Sequence, residues 1–133
     1  MTFPRGGITF DTGALIGLER RRQRITKVFA TAVATGFMIT VPAVVVTEWW
    51  RAGRHEQERA AILRAVRVEP LFEPTARLAG IALTRVPGAG TIDAIVMASA
   101  ALRGDSLYTS DPDDLAALQA GVPEFDQIQI LEV

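Results

Sequence analysis

The stretch GAGTIDAIVMASAALRGDSLYTSDPDDLAALQAG, residues 88–121, decides how the chain is read. It opens on a glycine-rich loop, and IDAIVMASAAL is apolar almost all round, the mark of a helix buried within a protein. Gly104 ends that helix, as a residue free to take a left-handed backbone does. SLYTS, residues 106–110, is a short strand. Asp111-Pro112 then starts a second helix, because a carboxylate accepts orphan backbone N–H groups and proline suits the first helical position. Buried helix, strand and helix in direct succession are the repeating unit of an α/β protein.

The alternation extends in both directions. GITFDT is an apolar strand ending in Asp11, and GALIGLERRRQRITKVFATAVATG is helical by its apolar spacing, in one or two pieces. FMITV is a second strand. Pro42 opens the helix PAVVVTEWWRAG, with Gly53 as its expected end. HEQERAAILRAV and EPTARLAGIALTRV are further helices on either side of a strand, VRVEPL, and QIQILEV is the last strand. Short apolar strands between helices predict a three-layer α/β/α sandwich with a central parallel sheet of four or five strands. No internal repeat, low-complexity segment or linker interrupts the pattern, so residues 1–133 are expected to form a single domain.

Composition narrows the chemistry. The chain is 49% apolar and 22% charged, ordinary for a globular protein. It contains no cysteine, which excludes disulfides, thiolate metal sites and cysteine nucleophiles. The start MTFPRGGITFDTG lacks the basic and apolar regions of a signal peptide, so a cytoplasmic location is expected. The uncharged run from Val28 to Thr47 is long enough to raise the membrane question, but Gly36 and Pro42 punctuate it and predict a buried α/β core instead. A formal net charge of −1 offers no global basic field for nucleic acid, so any polyanion must be held locally.

Acidic residues fall at telling places. Asp11 and Asp111 leave strand ends, while Glu48 and Asp93 lie early in helices that follow strands or loops. In an open parallel sheet the functional crevice lies beyond the carboxyl ends of the strands, where strand order reverses. Each acid also has an ordinary reading. Asp11 and Asp111 can cap helices, Asp93 can follow an N-cap at Thr91 in the first turn, and Glu48 can pair with Arg51. No arginine or lysine lies within three positions of Asp11, Asp93 or Asp111. Two carboxylates about 4 Å apart repel by roughly 4 kcal/mol at an effective dielectric of 20, so a converging set needs protons or cations. Oxygen ligands without His or Cys suit magnesium or manganese.

The set ITFDTGALIGL, VVVTEWWRAG, GTIDAIVMASAAL and LYTSDPDDL, in this order and spanning essentially the whole chain, resembles the PIN domain family, specifically VapC-like ribonuclease toxins of bacterial VapBC toxin-antitoxin pairs. The resemblance implies a magnesium-dependent endoribonuclease, usually a homodimer, held inactive by a cognate VapB-like antitoxin. It places Asp11, Glu48, Asp93 and Asp111 on the four acidic positions of the family pattern, as metal ligands and catalytic groups. Asp114 matches a further acid of some members, and Asp113 reads as an extra surface residue. Thr12, Thr109 and Ser110 match hydroxyl positions beside the site. Residues 53–86 carry no family motif.

Under that reading Asp11, Asp93 and Asp111 ligate Mg2+, with Mn2+ as an alternative, and Glu48 either ligates or accepts a proton from water. Arg51 and Arg54 are candidate contacts for RNA phosphates. ERRRQR, residues 19–24, is first a solvated helix face and second a grip for phosphates or an acidic partner. Of Trp49 and Trp50, about 100° apart on a helix, one is expected in the core. His55, the only histidine, reads as a surface or capping residue. Other phosphohydrolase patterns fit less well: Gly13 stands where a second aspartate would be needed, no lysine follows Lys27, and GxxxxGK is absent. A non-catalytic nucleic-acid-binding module, or a metal-dependent phosphohydrolase of other specificity, is the alternative.

Overall fold

Five strands alternate with seven helices. The computed structural model describes residues 6–133, in the order β1 (Ile8–Phe10), α1 (Thr12–Glu19), α2 (Gln23–Thr35), β2 (Ile39–Pro42), α3 (Ala43–Trp49), α4 (Glu56–Arg64), β3 (Arg67–Glu69), α5 (Glu73–Arg85), α6 (Thr91–Arg103), β4 (Ser106–Thr109), α7 (Pro112–Gly121) and β5 (Ile130–Glu132), with a 3-10 turn at Pro123–Phe125. The start of the stretch read for a signal peptide, residues 1–5, lies outside the described residues. The strands form one parallel sheet in the order β3-β2-β1-β4-β5. The chain therefore builds outward from β1 through β2 to β3, then crosses to the other side for β4 and β5. The reversal falls between β1 and β4, whose carboxyl ends deliver Asp11 and Thr109–Asp111.

All residues of β1 and β2 are buried, as expected of strands covered on both faces. β3 and β5 are the edges, β3 mostly exposed and β5 mostly half-buried. The core joins Ile8, Phe10, Ile39 and Leu107 of the sheet to Leu15, Ile25, Met97, Leu115 and Leu118 of the helices. Phe10 meets Tyr108 edge to face with ring centroids 6.1 Å apart. α6, read from sequence as buried all round, is buried continuously from Ala94 to Ala100 and packs against α3, α5, α7 and three strands. Gly104 caps it with φ +74°.

Two boundaries differ from expectation. The helix predicted to run from Pro42 to Gly53 stops at Trp49. Its β-branched run Val44–Thr47 is a weak helix former, and Arg51 donates to the carbonyls of Thr47 at 3.0 Å and Trp50 at 2.7 Å, closing the end without a glycine. Pro42 closes β2 instead of lying within α3. The long helical stretch after Asp11 breaks in two at Arg20–Arg22, where Arg21 has φ +56°. The uncharged run from Val28 to Thr47 divides into the end of α2, β2 and most of α3. Among the described residues no helix is long and apolar enough to cross a membrane.

Candidate functional site

Asp11 is both cap and pocket residue. Its carboxylate accepts the backbone N–H of Ala14 at 2.9 Å, so the capping reading holds. It also accepts the Thr109 hydroxyl, which ties the end of β1 to the end of β4. Asp111 occupies the N-cap position of α7, but its side chain makes no capping bond, so that ordinary reading fails. Its own N–H donates to Thr109 Oγ1 at 3.0 Å. Thr109 is buried and holds two acids of the site in register, one through its hydroxyl proton and one through its oxygen.

Asp93 lies in the first turn of α6, whose N-cap is Gly90 and not Thr91 as the residue types suggest. Glycine serves there because the preceding loop already delivers an extended backbone, φ −75° and ψ 143°, and no side-chain cap is made. Asp93 is half-buried and has no hydrogen-bond partner among the described residues. Glu48 is exposed on α3 and accepts the Thr12 hydroxyl at 2.6 Å, and it makes no ion pair with Arg51. Asp114 follows in the first turn of α7, hydrogen-bonded to Asp111.

These five carboxylates line one pocket of about 160 Å³ together with Thr12, Thr109 and Ser110, and among the described residues no arginine, lysine or histidine shares the lining. Their electrostatics register the crowding. Asp11 is pushed up to about 6, chiefly by burial and further by the charge of Asp93, against the Thr109 and Ala14 bonds. Burial raises Asp93 as well, followed by the charges of Asp114, Glu48 and Asp111. Asp114 is raised by its hydrogen bond to Asp111 and by that neighbour's charge. Oxygen donors in surplus, unmatched by basic groups, suit a hard divalent cation. As they stand, no three Asp, Glu or His side chains among the described residues are positioned to hold a metal ion together.

Arg51 and Arg54 do not line the acid pocket. They line a separate cleft that begins one turn further along α1. Asp113 is exposed and outside the pocket, as a surface residue should be. Trp49 is buried, with its Nε1 donating to Glu19 at 2.6 Å and Arg59 5.2 Å above its ring, while Trp50 is half-buried.

Two contributors escaped the sequence reading. Gly13 lets the start of α1 approach the β4–α7 turn: a Cβ there would sit 2.0 Å from Ser110 Oγ and 2.9 Å from its backbone nitrogen. The only available signal was a glycine directly after Asp11-Thr12. Arg103 is the other. Its guanidinium reaches Asp105 Oδ2 at 2.8 Å, Thr9 Oγ1 at 2.7 Å, and both Glu69 and Ser99 at 2.5 Å, bracing α6 against β1, β3 and β4. Nothing local in the sequence joins residues so far apart.

Solved structures share this architecture. VapBC2 from Rickettsia felis bound to a DNA fragment from their promoter matches with a TM-score of 0.74 at 11% identity, covering 95% of this chain and 98% of the other. DNA-bound VapBC from Salmonella typhimurium matches with a TM-score of 0.71 at 15% identity, over 95% and 97%. FitAcB from Neisseria gonorrhoeae matches with a TM-score of 0.68 at 18% identity, over 93% and 96%. No protein-family model and no curated protein matches the sequence. The fold is thus PIN-like, a three-layer α/β/α sandwich on a five-stranded parallel sheet, of the kind found in these toxin-antitoxin structures.

Proposed function

We propose that the chain is a magnesium-dependent endoribonuclease that hydrolyses RNA phosphodiester bonds and acts as the toxin of a type II toxin-antitoxin pair. The observation that carries this reading is the gathering of Asp11, Glu48, Asp93, Asp111 and Asp114, from four separate segments, in one pocket without a basic residue among the described residues. Its place at the strand-order reversal of a parallel sheet adds support. The similarity to VapBC structures supports a VapB-like antitoxin as partner, and a homodimer is proposed from the sequence resemblance alone.

In this reading Asp11, Asp93 and Asp111 hold Mg2+, or Mn2+, with Glu48 and Asp114 at the rim. The bound cation supplies Lewis acidity toward the scissile phosphate and makes hydroxide accessible near neutral pH. The chain's own groups do the rest. Thr109 fixes the Asp11 carboxylate and the Asp111 backbone so that their free oxygens face the pocket. Thr12 occupies Glu48 Oε1, which leaves Oε2 to accept the proton of the attacking water. Ser110 stands beside the acids at the turn that Gly13 admits. Arg51 and Arg54 contact RNA phosphates away from the cleavage point.

A second reading, a non-catalytic nucleic-acid-binding module or a metal-dependent phosphohydrolase of other specificity, draws on the acids not converging on one point as they stand. Unneutralised carboxylates repel one another, so on the nuclease reading a bound cation would draw these side chains together. Cleavage of a labelled single-stranded RNA by the purified protein separates the readings. Hydrolysis that requires Mg2+ and is lost in Asp93→Asn, with unchanged circular dichroism, is expected. Undiminished hydrolysis by Asp93→Asn, or none by the intact protein at any Mg2+ or Mn2+ concentration, would refute the nuclease.

A further inference from the structure

We infer that the cleft beside the acid pocket, edged by Arg20, Arg51, Arg54 and His55, is a subsite for the backbone phosphates of single-stranded RNA on one side of the scissile bond. The inference rests on the nuclease reading and gives the substrate a direction across the protein. The cleft has a volume of about 430 Å³ and lies between the far end of α1 and the α3–α4 turn. It continues the acid pocket along two elements at once. Thr12 of the pocket and Ile16 of the cleft are one turn apart on α1, and Glu48 lies three residues before Arg51. At 1.5 Å per residue, Arg20 lies about 12 Å along the chain axis from Thr12.

Three of the arginines there have no acidic partner among the described residues. Arg59 is held by Glu19 at 3.0 Å, which removes one pair from the balance. Arg20 and Arg54 make no side-chain hydrogen bond or ion pair among the described residues, and Arg51 engages only carbonyl oxygens. Glu58 is the single other acid of the lining. Arg77, Arg85 and Arg103 have acidic partners, whereas Arg21, Arg22, Arg24 and Arg64 have none among the described residues but do not line the cleft. An exposed guanidinium without an acidic partner presents a planar fork of donors that matches phosphate oxygens.

The turn carrying two of these arginines is built rather than loose. Arg54 N–H donates to the Arg51 carbonyl at 3.2 Å, and Gly53 N–H donates to Glu56 Oε1 at 2.6 Å. His55 takes φ +50° at the start of α4, a conformation uncommon outside glycine, and it makes no capping bond. Strained residues held by their surroundings concentrate at ligand clamps. The opposite flank of the acid pocket has no such provision. The cavity there is walled by Val86–Gly90, Asp93, Asp114, Ala117 and Leu118, with no cation among the described residues. A strand crossing the acid pocket thus finds positive charge on one side only.

The test is binding, read apart from cleavage. Anisotropy of a labelled, unstructured single-stranded RNA is measured from 50 to 200 mM salt in magnesium-free buffer, for the intact protein, the Arg20→Gln/Arg54→Gln variant and Arg77→Gln as a surface-charge control. A single strand contributes a log–log salt slope of about −0.7 per phosphate contact. The double variant is expected to flatten the slope by roughly 1.4 and to weaken binding about tenfold or more, with Arg77→Gln unchanged and a duplex of the same sequence bound more weakly than the strand. Equal slopes and affinities for the double variant and the intact protein would overturn the inference. So would loss of binding to an acidic peptide with RNA binding intact, which would assign the cleft to a protein partner. RNA binding that depends on the arginines in a protein that cleaves no RNA would sink the nuclease reading and leave the cleft standing.

Discussion

Replacing Asp11 by Asn should stabilise the metal-free protein at neutral pH, although it removes an acid at the centre of the proposed site. Burial raises Asp11 from 3.8 to about 6. The folded state therefore binds the proton more tightly than the unfolded chain does. Below pH 4 both states are protonated and Asp11 costs nothing. Between pH 4 and 6 stability falls as the pH rises, and above 6 the full penalty applies. At 1.36 kcal/mol per pH unit the shift corresponds to about 3 kcal/mol, and water at a half-buried carboxylate trims this to about 1–3 kcal/mol. Asn keeps its Oδ1 as acceptor for the Ala14 N–H, so the cap survives. Urea melts from pH 4 to 8 in EDTA would show the variant more stable at pH 7.5 and equal to the intact protein near pH 4. Magnesium should reverse the order. A ligand at 100 times its Kd stabilises the folded state by about 2.7 kcal/mol, and only the intact site should receive that benefit. A variant less stable than the intact protein at pH 7.5 without metal, or a difference independent of pH, would refute the claim that burying this charge opposes folding.

Gly13→Ala places a methyl 2.0 Å from Ser110 Oγ and 2.9 Å from its nitrogen. Chemical denaturation should report a loss of about 1–3 kcal/mol from overpacking, and cleavage should fall because α1 and the β4–α7 turn are pushed apart. Arg103→Met leaves Asp105 and Glu69 without their shared cation and should destabilise by about 3–5 kcal/mol, measured as a shift in the urea midpoint. A loss under 1 kcal/mol would mean the network contributes little.

The architecture was legible because hydrophobic period and helix stop signals agree with the tertiary structure almost everywhere. Gly104 ends α6 as read, and the burial of Ala94–Ala100 follows from an apolar run with no polar face. The misreading at Gly53 came from treating a glycine as the end of a helix that β-branched residues and Arg51 had already stopped at Trp49. Thr91 was taken for a cap on side-chain type, yet Gly90 holds that position because backbone direction, set by the loop, decided it. The gathering of the acids in one pocket was readable from their places at strand ends and helix starts and from the motif. Arg51 and Arg54 were assigned to RNA from their closeness in sequence to Glu48, and the structure puts them in a neighbouring cleft because α3 ends before reaching them.

What separates the structural acid Asp105 from the pocket acids is a cationic partner. Asp105 follows Gly104 much as Asp11 follows a strand, and it too lies at a sheet end. Yet its carboxylate takes the Gly7 N–H at 2.7 Å, the Thr9 hydroxyl at 2.8 Å and Arg103 at 2.8 Å, and the chain spends a whole arginine on it. Asp93 receives no donor and no cation, and is surrounded by like charge. A fold selected only for stability would not treat two half-buried or buried aspartates so differently, because a carboxylate without partners opposes folding wherever it sits. The cost is tolerable if something outside the chain supplies the missing positive charge, as a divalent cation would at the proposed site.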